Sequence, residues 1–171
     1  VFDAPVELVG IIVAIGFAPI GLTALPGGML SDRYGPGFVL LLSIAGMTVG
    51  FGTLALAPSI YAIGLSLTIW GLFAGIYHPG GMSLISTGAE HRGTIFGYHG
   101  MAGNVGTALG PFAAATLLLL FDWRVVPALL AIPGGIAFIY GTMVDFDPTA
   151  AIEEERPPSA QEQPTNPLVK T

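Results

Sequence analysis

Two histidines stand inside apolar stretches of this chain, His78 in Tyr77-His78-Pro79-Gly80-Gly81 and His99 in Tyr98-His99-Gly100. Imidazole is the side chain that changes charge near neutral pH, so inside a membrane it can relay a proton or, when charged, hold an anion. His78 falls roughly eight residues before the end of one apolar run and His99 roughly six residues into the next. At about 1.5 Å per residue these depths are about 12 and 9 Å from one surface. On antiparallel neighbours the two rings are therefore level. Asn104 adds a polar group about one turn deeper than His99, at i+5, where it need not share the same face. Tyr77 joins the candidate set, although Tyr77 and Tyr98 each precede a histidine and are expected to point away from it. A plainer reading stands beside this one. Each histidine caps a backbone carbonyl freed by a nearby helix break, or sits in the interfacial zone.

Other chemistry finds little support. Ser83, Ser86 and the three histidines show no nucleophile–base–orienter spacing, so no catalytic residue and no enzyme are expected. The glycine-rich segments lie within apolar runs rather than between a strand and a helix, which excludes phosphate loops. There is no cysteine, and His78, His91 and His99 are not spaced for a metal, so neither metal nor cofactor is expected. No basic patch suggests nucleic acid.

The elements that must position the histidines follow from the charge pattern. Between Leu8 and Val144 the charges gather in Asp32-Arg33, Glu90-His91-Arg92 and Asp122-Trp123-Arg124. The charged fraction is 9%, against about 25% in soluble proteins, and the mean hydropathy is +0.76. The bilayer must be the solvent. Most of the net charge of −6 lies toward the tail, where Asp145, Asp147, Glu153, Glu154, Glu155 and Glu162 face only Arg156 and Lys170; Asp3 and Glu7 supply the rest.

Five stretches approach the roughly 20 apolar residues of a membrane span. They run about Leu8–Leu25, ending at Pro26-Gly27-Gly28; Phe38–Ala57; Ile60–Ser86; Gly93–Phe121, containing Pro111; and Val125–Val144. Pro79-Gly80-Gly81 is expected to break the third span, leaving a cavity beside His78 and His99. The fold class is thus all-α, a polytopic membrane helix bundle of five spans over residues 1–146. Residues 147–171, rich in Pro, Glu and Gln, form an acidic tail or linker expected to be disordered. Short connections make neighbouring helices antiparallel. Arg33 and Arg92 outnumber Arg124, which places their loops and the tail in the cytoplasm. Asp122 and Arg124 are expected to cap spans four and five, with Trp123 an interfacial anchor.

Two segments carry a family likeness. Gly28-Met29-Leu30-Ser31-Asp32-Arg33-Tyr34-Gly35 combines glycines for close approach and a tight turn with an Asp-Arg pair at a membrane rim. It resembles the loop between helices two and three of major facilitator superfamily transporters, Gly-x-x-x-Asp-Arg-x-Gly. Pro36 and Gly37 stand where that family usually has basic residues. In the fourth span Gly103, Gly106 and Gly110 share a face and form a groove for a neighbouring helix, followed by Pro111. That string resembles the Gly-x-x-x-Gly-Pro motif of helix five in exporters that exchange substrate for protons.

Aligned this way, the spans resemble helices two to six of a twelve-helix transporter. The resemblance implies that helix one and the C-terminal half of the same transporter are the missing partners. Val1 is then read as a cut end. The frequent helix-four arginine is absent from Ser66-Leu67-Thr68-Ile69-Trp70-Gly71, so any proton role for it does not transfer. The His-Pro pair and the glycine string further resemble the fosmidomycin-resistance branch of drug exporters. Asp32, Arg33 and Arg92 are expected to hold a conformation rather than touch substrate. The implied function is proton-coupled export of a small molecule from the plasma membrane. Uptake of a small anion and a non-transporting membrane scaffold remain the alternatives.

Overall fold

The computed structural model describes residues 2–146, and the proposed tail at 147–171 lies outside them. The described chain forms six helices: α1 (Val6–Leu22), α2 (Ala24–Tyr34), α3 (Pro36–Ala55), α4 (Ile60–Gly88), α5 (Arg92–Leu118) and α6 (Val125–Gly141). No strand occurs among the described residues. Helices α3, α4 and α5 are each long and apolar enough to cross a membrane, and α1 with α2 makes one further span bent by 42°. Helix α6, with 17 residues, is at the short end of spanning length, about 17–25 residues. The five apolar stretches are thus all helical, the first as a broken pair.

Two breaks expected from proline differ from what the chain does. Pro26-Gly27-Gly28 does not end the first span, because all three residues lie inside α2. Proline acts on the carbonyl four residues before it, here Leu22, where α1 stops. Pro26 itself sits in the first turn of α2, where its missing N–H costs nothing. Thr23 bridges the bend. Its N–H donates to the Pro19 carbonyl at 2.9 Å and its own carbonyl accepts from Gly27 at 2.8 Å. Its hydroxyl donates to the Pro19 carbonyl at 2.8 Å, with the Leu72 carbonyl of α4 a second acceptor at 3.1 Å.

Pro79-Gly80-Gly81, by contrast, lies within an unbroken α4. The proline removes the bond to the Gly75 carbonyl, but packing on both sides holds the axis. A Cβ placed on Gly80 would meet Val39 Cγ1 at 3.2 Å and Leu40 N at 3.3 Å on α3, and one on Gly75 would meet Ile20 Cα of α1 at 3.0 Å. The expected break is therefore corrected to a continuous helix.

Helix α4 is the centre of the bundle, packed against α1, α2 and α3, while α3 also meets α6 and α5 touches only α4 and α6. Ser59 caps α4, its hydroxyl accepting from Ala62 N at 3.2 Å. Apolar surface gains little by leaving lipid, so helices associate through close backbone approach. The buried positions fit this: Gly46, Gly50 and Ser43 on α3, Gly71 and Gly75 on α4. Large side chains such as Phe112, Leu120 and Ile136 face outward.

The α3–α4 seam yields a prediction. A Cβ on Gly50 would stand 2.9 Å from Trp70 Cα and 3.0 Å from Trp70 N, backbone that has nowhere to move, whereas Gly52 has no neighbour within 4 Å. Gly50→Ala should cost about 1–3 kcal/mol and lower the thermal unfolding midpoint in detergent; Gly52→Ala should leave it unchanged.

Candidate functional site

Antiparallel packing of α4 and α5 brings the two histidines to one level. Their ring centroids lie 6.4 Å apart with the planes at 88°. Tyr77 does not point away, as its position before His78 suggested. It stacks on His99 at 5.9 Å and 19° and meets His78 edge-on at 5.6 Å. A cavity of about 560 Å³ opens beside them, lined also by Gly103, Asn104 and Thr107. His99 reaches across to Gly81 of α4, where a Cβ would lie 3.8 Å from its Cε1.

Helical spacing explains the α5 side. Gly100, Gly103, Asn104 and Thr107 recur at intervals of three and four, so they form one stripe facing the cavity. Asn104 belongs to this stripe through Gly100, four residues before it, rather than through His99. Thr107 was legible by the same rule, three and four residues after Asn104 and Gly103, but a hydroxyl inside an apolar run gave no separate signal. Its hydroxyl donates to the Gly103 carbonyl at 2.9 Å.

Neither imidazole has a hydrogen-bond partner among the described residues, and neither do the Asn104 amide and the Tyr77 hydroxyl. The histidines therefore do not cap carbonyls at a helix break. A second cavity, of about 570 Å³, lies at the α4–α5 loop between Ile85, Ile95 and Phe146. Its lining is mainly aliphatic and holds neither His78 nor His99.

The Gly28–Gly35 segment divides its work differently from expectation. Gly27, not Gly28, makes the close approach: a Cβ there would lie 2.9 Å from Ile76 Cα, while Gly28 has nothing within 4 Å. Gly35 makes the turn, with φ 87° and ψ 148° between α2 and α3. Pro36 then opens α3 at a position suited to proline. Asp32 and Arg33 are exposed, and the Arg33 guanidinium lies 5.2 Å from the Tyr34 ring centroid. Arg92 begins α5, also exposed.

At the opposite end, Asp122 accepts from Arg124 N at 3.0 Å. Arg124 stands at the N-cap position of α6 without a side-chain cap bond; its guanidinium donates instead to the Ala57 carbonyl at 3.3 Å, beyond the end of α3. That carbonyl belongs to a buried residue with no further turn of helix to satisfy it. Trp123 stands edge-on to Phe2 and carries the Arg124 guanidinium 4.5 Å above its ring. The glycine groove of α5 is unfilled: a Cβ on Gly103, Gly106 or Gly110 would meet nothing within 4 Å, and α5 has no buried residue.

A bundle of apolar helices joined by glycine seams, with the charges at its ends, defines a multi-pass integral membrane protein. The chain belongs to the Major Facilitator Superfamily, whose family model matches residues 1–170. It is 28% identical over 149 residues, 82% of this chain, to the multi-drug resistance efflux pump PmrA of Streptococcus pneumoniae. It is 31% identical over 121 residues, 67% of this chain, to the puromycin resistance protein pur8 of Streptomyces alboniger. To the multidrug efflux pump LfrA of Mycolicibacterium smegmatis it is 33% identical over 109 residues, 62% of this chain. These alignments cover 36%, 23% and 21% of the respective relatives, so the chain spans about a third or less of their length.

Gly35 tolerates a side chain poorly. Its φ and ψ belong to a region that only glycine occupies at low cost, and a side chain there costs about 1–3 kcal/mol. Gly35→Ala should lower the unfolding midpoint even though a Cβ has open space around it, whereas Gly28→Ala should not.

Proposed function

We propose that this chain forms one wall of the central cavity of a proton-coupled efflux transporter, which moves a small molecule by alternating access. Helix one and the C-terminal half of the same transporter complete the cavity, and the protein acts as a carrier rather than an enzyme. It works in the cell membrane, with the α2–α3 and α4–α5 loops and the tail on the cytoplasmic side. In such carriers two helical halves rock about a site near the bilayer midplane.

The observation that carries this reading is the His78–His99 pair. Two unpartnered imidazoles, His78 exposed and His99 half-buried, share a cavity beside α4 and α5 of an apolar bundle. A titratable group at that depth is retained at a cost unless it serves transport. Kinship with efflux pumps supports the outward direction. The outward-facing glycines of α5 fit a wall that a second half covers.

His78→Gln and His99→Gln, each made in the complete transporter and assayed in vesicles with an imposed pH gradient, should each slow gradient-driven transport by about tenfold or more. His91→Gln, in the exposed loop before α5, should transport normally. Unchanged transport in both cavity variants would remove the site.

A further inference from the structure

The chemistry of the cavity wall selects among solutes. We infer that the α4–α5 wall is a receptor for an oxyanion, a carboxylate, sulfonate or phosphonate group seated between His78 and His99 when the imidazoles carry protons. This deepens the carrier reading above and rests on it.

The wall is rich in donors and has no counter-charge for a cation. Two imidazoles, the Asn104 amide and the Tyr77 hydroxyl all lack partners among the described residues. No acid among the described residues lines the cavity. Of the helices packed on α4 and α5, α1 carries Glu7, α2 carries Asp32, Arg33 and Tyr34, α3 has no titratable residue and α6 has Tyr140. On α4 and α5 themselves the other titratable residues are Tyr61, Arg92 and Tyr98. None of these lines the cavity. On this wall a permanent cation would meet only dipoles, and repulsion once the histidines are protonated.

The ring geometry favours a bridging acceptor. Two imidazoles joined directly by a hydrogen bond would have centroids about 5 Å apart. At 6.4 Å and near-perpendicular, they leave room for an oxygen that accepts from both. The Tyr77 ring stacked on His99 at 5.9 Å packs against that imidazole. Two imidazolium charges at this separation repel each other, and an anion between them relieves the repulsion. Anion binding and proton uptake therefore help each other, the coupling that a carrier needs.

The test uses the purified complete transporter and three probes of similar size: benzenesulfonate, benzyltrimethylammonium and benzyl alcohol. Benzenesulfonate keeps its charge at every pH used, so any pH dependence belongs to the protein. Calorimetric titration should show it binding at about pH 6 and about tenfold or more weakly at about pH 8, the sense expected when protonation accompanies binding. Benzyltrimethylammonium should bind weakly at both. His78→Gln and His99→Gln should each abolish the pH dependence. Asn104→Asp, which sets a carboxylate in the wall, should lose the sulfonate and gain the ammonium. The wild-type pH comparison needs no variant, so a misfolded mutant leaves the test intact. Tighter binding of benzyltrimethylammonium than of benzenesulfonate, or sulfonate binding indifferent to pH, overturns the inference. If that happens while both histidine variants still lose gradient-driven transport, the proton site stands and only the anion assignment falls.

Discussion

No water reaches the hydrocarbon core of a bilayer to satisfy a free backbone group, and lipid offers apolar side chains no reason to leave it. Those two facts together shape this chain. The first makes every spanning segment a helix. The second leaves close contact between helices as the main force that holds them to one another, so the positions that matter in the seams are the smallest. Gly46 takes the Phe73 ring of α4, Gly50 takes the Trp70 backbone, and Gly71 lies against the Gly16 carbonyl of α1. Helix α4 can touch α1, α2 and α3 at once because it offers glycine on several sides.

The same constraint decides what each proline does. Helices α1, α4, α5 and α6 each carry one in their length and run on through it, whereas the chain breaks between α1 and α2 with a bend of 42°. There Thr23 can hold the bend: its hydroxyl and amide satisfy the Pro19 carbonyl, and the Leu72 carbonyl lies within reach. At Pro79 the flanking glycines are clamped between α1 and α3, and a bend would open both seams. The tertiary surroundings, not the proline, set the outcome.

Helix α5 is the exception, and the cavity beside His78 and His99 opens along it. It packs lightly on α4 and α6 and shows its glycine stripe to open space. A helix seated so lightly can present polar groups to a cavity without burying them unsatisfied. His99 uses that freedom, held by the Tyr77 ring rather than by a hydrogen bond. Across the bundle, Arg124 ties the α5–α6 turn to the buried Ala57 carbonyl, so the far end of α5 enters a fixed corner while its face toward α4 stays accessible.

Much of this was legible in the residues alone. Apolar length determined the helices to within a few residues, as at α3 and α6, because lipid demands it of any span. The Asp32-Arg33 turn and the Gly-x-x-x-Gly-Pro string pointed to the superfamily by their spacing, one between two spans and the other within a span, although the second meets no helix among the described residues. Depth along antiparallel runs placed His78 level with His99. Rotation about the helix axes was not legible. Whether Tyr77 turned toward the histidines, whether Gly27 or Gly28 met Ile76, and which carbonyl Arg124 would reach depended on neighbours from distant parts of the chain. The sequence by itself settled which segments are apolar helices and where along each helix a polar group falls, since both follow from apolar length and distance along a helix. Only the tertiary structure decided which faces meet and whether a proline interrupts its helix, since those depend on contacts that no single helix contains.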